Sequence, residues 1–194
     1  MQKVTAVWSG WPGAPGYSNF YFSGIGLVDG DYVAMTAAVR TFFAGFTLCL
    51  PTGISILVSP VVQEIDPATG QLTGEHTAST VPTAVAGAGG TNFASPVGAC
   101  VIWRTSTSIN GRLLKGKTFL VPLGASSYDT DGTLLASRLA ELRTAATTLA
   151  DFGSVLTRQL VVWHRPVAGA GGSIADVASA TVNDRSAVLR TRRV

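Results

Sequence analysis

Residues 54–79, ISILVSPVVQEIDPATGQLTGEHTAS, carry the pattern on which the predicted fold depends. Every second residue from Ile54 to Val58 is isoleucine or valine, which is the two-residue period of a strand with one buried face. The segment DPATG at 66–70 then supplies turn-forming residues, and a second extended segment, QLTGEHTAS, follows it. The stretch therefore predicts two antiparallel strands joined by a tight turn.

A second pair of strands is predicted farther along the chain. ACVIWRTSTS at 99–108 and TFLVPL at 118–123 lie on either side of the turn-like segment INGRLLKGK. Because Pro122 has no backbone N–H, it places the second of these strands at a sheet edge, or it marks the strand's own end.

The eight residues GRLLKGKT, 111–118, fit the phosphate-binding pattern G-x-x-x-x-G-K-[ST]. A phosphate loop needs small residues that let phosphate approach the backbone, and a helix that begins at the lysine. Here residues 112–115 are bulky, and the β-like segment FLVPL follows Thr118. We therefore interpret the match as a hairpin turn and predict no nucleotide-binding site.

Two amphipathic helices are predicted from apolar residues that recur with a 3.6-residue period. The first begins near Tyr32, and either Asp29 or Asp31 can cap it. The second runs from Asp131 to Phe152. The apolar stripes are Tyr32, Met35, Val39, Phe42 and Phe46 in the first helix, and Leu135, Leu139, Leu142, Ala146 and Leu149 in the second.

Together these elements predict an α+β fold with a mainly antiparallel β-sheet or sandwich, two amphipathic helices and extended arms at both ends. A single α+β domain is placed at 31–182. It lies between an aromatic, Gly- and Pro-rich N-terminal arm at 1–30 and a basic C-terminal arm at 183–194. Within the domain, the small residues of 80–98 predict a long, flexible loop.

The N-terminal arm begins with the short strand-like run KVTAVW at 3–8 and then places aromatic residues among Gly, Pro, Ser and Asn. Such a segment does not form a helix, and its rings pack either against its own domain or against a neighbouring subunit. We expect a subunit contact, because aromatic residues dominate the energetics of interfaces. The predicted anchors are Trp8, Trp11, Tyr17, Phe20 and Tyr21.

The C-terminal arm is basic, and its arginines are Arg185, Arg190, Arg192 and Arg193. These side chains can contact either nucleic acid or an acidic surface of a neighbouring subunit. The net charge of +3 is by itself weak evidence for a nucleic-acid partner.

Charged residues make up only 13% of the 194 residues, against about 25% in typical domains, while 46% are hydrophobic. A membrane span would account for this composition, but no run of about 18 apolar residues occurs. The first 16 residues also lack the apolar core of a signal peptide. We therefore expect no membrane partner, and infer that other protein covers much of the surface, as in the subunit of an assembly.

No residue pattern indicates a catalytic, metal-binding or cofactor-binding site. His76 and His164 have no serine, cysteine or acid at a spacing that suggests a triad. The segment SSYDTDGTLLAS lacks the acidic residues that an EF-hand needs at its first and last positions, so its aspartates are interpreted as helix caps. The remaining acidic candidates flank the first hairpin and are expected to be solvated turn charges: Glu64, Asp66 and Glu75.

The two cysteines, Cys49 and Cys100, both lie in apolar runs. A disulfide between them is one alternative. Two buried thiols are favoured, because cysteine is often buried as a small hydrophobic residue.

Three segments resemble parts of small structural proteins of tailed bacteriophages, especially those that infect high-GC actinobacteria. They are VWSGWPGAPGYSNFYF at 7–22, CVIWRTSTSINGRLLKGKTFLVPL at 100–123 and ASATVNDRSAVLRTRR at 178–193. The resemblance implies a component of a capsid, tail or connecting ring, made in the host cytoplasm, whose partners are copies of itself and other virion proteins. It transfers no functional residues, because the sites of such proteins are extended subunit contacts.

The leading hypothesis is therefore a non-enzymatic virion structural protein that assembles by burying apolar surface between copies. The alternative is a receptor- or carbohydrate-binding module of a virion, in which exposed Trp and Tyr rings stack on sugars. Both hypotheses use the same aromatic residues.

Overall fold

The computed structural model describes backbone at residues 1–10, 16–22, 28–66, 68–90, 100–109, 112–122, 124–127, 137–138, 140–141, 144–145, 157–164, 177–183 and 186–192. Side chains are described in these ranges except at 100–122 and from 157 onward.

Five strands form the first sheet, and every pair in it is antiparallel. The order is β2-β1-β3-β4, and the short β5 pairs with β3 on the same side as β4. The strands are β1 (Gln2–Ser9), β2 (Tyr17–Phe22), β3 (Ser55–Ile65), β4 (Leu72–Thr77) and β5 (Val85–Ala86).

The predicted hairpin at 54–79 is confirmed as β3 and β4. Its turn is organised by Asp66, whose carboxylate accepts hydrogen bonds from the Ala68 N–H (2.8 Å) and the Thr69 hydroxyl (2.8 Å). The Gly70 N–H donates to the Asp66 carbonyl at 2.7 Å. An aspartate that bonds the backbone two residues on is a typical turn former, so local chemistry fixes this connection.

A bulge in β3 accommodates Pro60 within a strand that has neighbours on both sides. Val4 is opposite Val62 and Ala6 is opposite Val58, so three residues of β3 face one residue of β1. Proline cannot donate to the ladder and is tolerated in a central strand only where the ladder is interrupted. The Ser59 hydroxyl accepts a hydrogen bond from the Val61 N–H at 3.1 Å and stabilises the bulge.

Helix α1 (Asp29–Ala44) packs on one face of this sheet. The predicted stripe is confirmed: its members within the helix are buried, and Phe46 is buried just beyond the helix end. The helix begins three residues before the predicted start, and the Asp31 carboxylate receives the Val28 N–H at 3.0 Å. Asp31 therefore caps the helix from inside its first turn.

The strands of residues 1–30 correct the prediction of an N-terminal arm, because β1 and β2 belong to the sheet. Their inward residues alternate with outward ones, and Trp8 and Phe20 contact helix α1. The Phe20 ring meets the rings of Phe42 and Phe43 at centroid distances of 5.6 Å. Strands β1 and β2 therefore contribute to the domain core instead of forming an arm.

The described part of the predicted loop at 80–98 is hydrogen-bonded rather than loose. Gly89 donates its N–H to the Leu50 carbonyl (2.7 Å) and accepts the Ser126 N–H (3.0 Å). A side chain at Gly89 would place its Cβ 2.4 Å from the Leu48 carbonyl oxygen, and one at Gly124 would lie 2.2 Å from the Gly89 carbonyl oxygen. Glycine is required here because three backbone segments approach one another closely.

A second antiparallel sheet follows in the order β10-β9-β8-β6-β7. Its strands are β6 (Cys100–Ile109), β7 (Arg112–Pro122), β8 (Thr157–His164), β9 (Val177–Asn183) and β10 (Ser186–Arg192). The predicted hairpin is confirmed as β6 and β7, but β7 begins at Arg112 instead of the predicted Thr118 and ends with Pro122 at the edge of the sheet. The fold is α+β with mainly antiparallel sheet, as predicted.

The phosphate-loop match falls almost wholly within β7. Residues 112–118 belong to β7, and the strand continues to Pro122. A phosphate loop would instead require a helix that begins at Lys117. The interpretation of the match as a hairpin turn is therefore wrong in its extent, because β6 and β7 pair up to Ile109 opposite Arg112 and residues 112–118 form strand rather than turn.

The C-terminal segment also differs from the predicted arm. Residues 186–192 pair along their whole length with β9, from Ser186 opposite Asn183 to Arg192 opposite Val177. The backbone is therefore a strand of the second sheet. Arg190 and Arg192 lie in this strand without described side chains, and Arg185 and Arg193 lie outside the described residues.

The predicted second helix is described in part. Residues 137–138, 140–141 and 144–145 are helical, and Ala145 is buried in the core. The rest of the predicted range within 131–152, including all five residues of its apolar stripe, lies outside the described residues. No helix in the described part of the chain is long and apolar enough to cross a membrane.

Candidate assembly surface

Strand alternation divides the predicted interface anchors between two faces of the first sheet. Trp8 and Phe20 point inward and are only 5% and 2% exposed, so the chain's own core already occupies them. Tyr17 and Tyr21 point the other way, and Tyr17 is 45% exposed. Trp11 lies outside the described residues. We define the face opposite helix α1 as the outer face.

An apolar row crosses three strands on the outer face. Tyr17 of β2 is directly opposite Val7 of β1, and Val7 is directly opposite Leu57 of β3. Val7 and Leu57 are each 46% exposed. Directly opposed side chains in neighbouring strands contact one another. Tyr17, Val7 and Leu57 therefore form one continuous line of apolar side chains, which we call the apolar row.

A polar row crosses four strands at the other end of the same face. Tyr21 is opposite Lys3, Lys3 is opposite Gln63, and Gln63 is opposite Glu75. The Gln63 amide donates a hydrogen bond to the Glu75 carboxylate at 2.6 Å. Burial raises the pKa of Tyr21, and the nearby Tyr17 adds to this, so its hydroxyl remains a proton donor at neutral pH. We call this set the polar row.

The space between the two rows is also polar but neutral, because the Thr5 hydroxyl donates to the Asn19 side-chain oxygen at 3.0 Å. The outer face thus combines exposed apolar side chains with hydrogen-bonding groups and one charge of each sign. Protein interfaces likewise contain both apolar and polar groups.

A second group of side chains joins the first turn of α1 to the end of β4. The Asp29 Oδ1 atom contacts His76 Nε2 at 2.9 Å and accepts the Ser79 N–H at 3.1 Å, while Oδ2 accepts the Ser79 hydroxyl at 2.5 Å. These bonds lower the pKa of Asp29, the His76 bond most strongly. Asp29 therefore fastens the helix to the sheet, in addition to the cap provided by Asp31.

A second bridge lies beside the first. The Tyr32 hydroxyl donates to Glu64 Oε1 at 2.5 Å, and this bond raises the pKa of Tyr32 to about 12. The Tyr32 ring also stacks on the His76 ring at 4.1 Å with an interplanar angle of 20°. Because His76 of the first bridge stacks on Tyr32 of the second, the two bridges act jointly to hold α1 against β3 and β4.

Asp29, His76 and Ser79 are the residue types of a nucleophilic triad, but they are not arranged as one. In a triad the serine hydroxyl bonds to the histidine, and the acid bonds to the opposite ring nitrogen. Here the Ser79 hydroxyl donates to the carboxylate instead. This geometry anchors a helix and gives Ser79 no histidine partner among the described residues. The cluster leaves no local sequence signal, because Asp29 lies 47 positions before His76 and 50 before Ser79.

Cys49 is a buried free thiol, as predicted. Burial raises its pKa to about 12, and the nearby Glu141 carboxylate contributes to the rise. Glu141 is itself paired with Arg138. The Cys100 side chain lies outside the described residues. Among the described residues, no three His, Cys, Asp or Glu side chains form a group that could hold a metal ion.

No protein-family model matches the chain, and no curated protein or solved structure is significantly similar to it.

Proposed function

We propose that this chain is a non-enzymatic structural subunit of a virion and that it assembles with copies of itself. The observation that carries the proposal is the apolar row, in which three side chains about 45% exposed line up across neighbouring strands. Large apolar side chains scattered singly over a surface need no explanation, but contiguous ones mark sites of association.

The composition supports the same conclusion. A chain with 13% charged residues has few charges to cover its surface, and burial between copies removes that apolar surface from water. The virion setting comes from the resemblance of three segments to structural proteins of tailed bacteriophages. Capsid, tail and connecting ring are all compatible with it, and the C-terminal arginines offer a contact to nucleic acid or to another virion protein.

Light scattering across a concentration series, with negative-stain images of the same fractions, tests the proposal. We expect masses that are multiples of 20.0 kDa and regular particles in the images. Association through apolar surface should persist in high salt, which screens only charged contacts. A 20.0 kDa species at every concentration would overturn the proposal of self-assembly.

The alternative function, binding of a receptor or carbohydrate, is favoured by one observation. Tyr17 and Tyr21 lie on the same face, and a partly exposed tyrosine ring next to hydrogen-bonding groups can stack on a sugar. This alternative predicts saturable glycan binding by a small oligomer, and loss of that binding in Tyr17→Ala. Particles without glycan affinity would exclude it.

A further inference from the structure

Resting on the proposed self-assembly, we propose that two copies pair face to face through the outer faces of their first sheets. The two-fold axis runs parallel to the strands and passes between β1 and β3. Sheets that pack face to face keep their strands nearly aligned at a separation of about 10 Å, which such an axis permits. Two-fold pairing uses the same patch twice, so that patch must be complementary to itself.

The outer face has this self-complementarity because the axis maps each row onto the same row of the second copy, with the strand order reversed. In the apolar row, Val7 then faces Leu57 of the second copy, and Leu57 faces Val7 of the second copy. Tyr17 extends toward the side of β3 that β5 occupies, where the exposed Ala86 is opposite Ser55, two residues along the strand from Leu57. Apolar side chains therefore meet apolar side chains across the interface, and their exposed area is removed from water.

The polar row is complementary under the same operation. Tyr21 faces Glu75 of the second copy, and Lys3 faces Gln63 of the second copy, next to that glutamate. Within its own chain Glu75 already accepts the Gln63 amide. Pairing adds a hydroxyl donor and a neighbouring ammonium group to the same carboxylate. The one cation and the one anion of each row are thereby brought together, which a buried charge requires.

Three substitutions test the inference, and circular dichroism with thermal melting confirms that each variant is folded. Val7→Asp and Leu57→Asp place a carboxylate at the centre of the proposed contact. We expect each to weaken association roughly tenfold or more. Val81→Asp is the matched control, since Val81 is 64% exposed but lies outside both rows. We expect this variant to associate like the unmodified chain.

Disulfide trapping tests the pairing itself. Val7→Cys and Leu57→Cys chains, one of them carrying a mass tag, are mixed and oxidised. The proposed axis predicts that the mixed disulfide forms faster than either homodimer, since only the mixture places two cysteines opposite each other.

The outcomes separate the inference from the proposed function. Assembly of the unmodified chain, combined with undisturbed assembly of both aspartate variants, would overturn the face-to-face pairing and leave self-assembly standing. A monomeric unmodified chain would overturn the proposed self-assembly, and the pairing with it. If Val7→Asp and Leu57→Asp lose association while Val81→Asp keeps it, and the mixed disulfide forms faster, both the self-assembly and the face-to-face pairing are supported.

Discussion

The indole ring of Trp8 meets the phenyl ring of Phe43 edge to face, with centroids 5.4 Å apart and an interplanar angle of 89°. This contact joins strand β1 to helix α1. The indole N–H is also satisfied, because it donates to the Ser18 hydroxyl at 2.8 Å. Trp8 therefore stabilises the chain's own fold through both its ring and its polar atom.

Replacement of Trp8 by alanine should be among the most destabilising changes in the chain. We expect Trp8→Ala to reduce the free energy of unfolding by about 3–5 kcal/mol, because it leaves a cavity beneath α1. Denaturant unfolding measures this change. Tyr17→Ala is the matched control, and its effect should be within about 0.5 kcal/mol because the ring is exposed. Equal losses in the two variants would contradict the division of these aromatic residues between the two faces.

Acid should weaken the attachment of the helix at Asp29. The pKa of Asp29 is lowered in the folded chain, so its stabilisation is complete above the unfolded-state value of about 3.9 and is lost as the pH falls through the folded value. We expect the free energy of unfolding to fall more steeply below about pH 4 in the unmodified chain than in Asp29→Asn. Urea titrations from pH 7 to pH 2 measure both slopes.

Asp66 contributes to the acid sensitivity of both chains in that comparison. A hydrogen bond from the Ala68 N–H lowers its pKa, and both chains retain it. Some acid sensitivity should therefore remain in Asp29→Asn. Identical slopes in the two chains would contradict the role given to Asp29.

The close backbone approach at residues 47–50, 87–90 and 124–127 leaves little room for a side chain at Gly89 or Gly124. Gly89→Ala and Gly124→Ala each place a methyl group within 2.4 Å of a carbonyl oxygen, so we expect losses of about 1–3 kcal/mol as the backbones separate. Gly30→Ala is the control, because no atom lies within 4 Å of the added methyl and alanine favours the helix. If thermal melting shows Gly30→Ala to be as destabilising as Gly89→Ala and Gly124→Ala, the three segments do not meet closely.

The Cys49 thiol should be unreactive until the chain unfolds. The thiolate is the reactive form, and a pKa of about 12 together with burial suppresses it at neutral pH. Maleimide labelling followed by mass spectrometry of the Cys49 peptide should give little modification in buffer and complete modification in denaturant. Rapid labelling in buffer would show that this region opens readily.

Nucleotide binding at 111–118 should be absent. The strand that runs through Lys117 does not present the ring of backbone N–H groups that holds phosphate. Titration with a fluorescent ATP analogue and Mg²⁺ should therefore give no saturable signal for either the unmodified chain or Lys117→Ala. A signal that Lys117→Ala removes would restore the phosphate-loop interpretation.

Local periodicity made part of the fold predictable. The stripe from Tyr32 to Phe46 identified α1, and the alternation from Ile54 to Val58 with the Asp66 turn identified the β3–β4 hairpin. The same two-residue period is present in β1, where Val4, Ala6 and Trp8 point inward. The run KVTAVW at 3–8 predicts this strand, but the Gly and Pro residues that follow it favour an N-terminal arm.

The candidate surface and the helix attachment depend on contacts that local pattern does not contain. Tyr17 and Leu57 are brought to one row by the register of three strands, and that register includes a bulge. Asp29 and His76 meet only after helix and sheet have packed. The small residues around Gly89 predict a flexible loop, whereas in the structure their small size allows a close backbone contact.

The bulge at Pro60 also limits how the sheet can grow. It divides β3 into two halves, and different short strands occupy its far side: β4 pairs with residues 61–65 and the two-residue β5 pairs with residues 55–56. Short and interrupted edge strands are poor templates for the addition of further chains. Open-ended, fibre-like growth along the hydrogen-bonding direction is thus disfavoured at this edge.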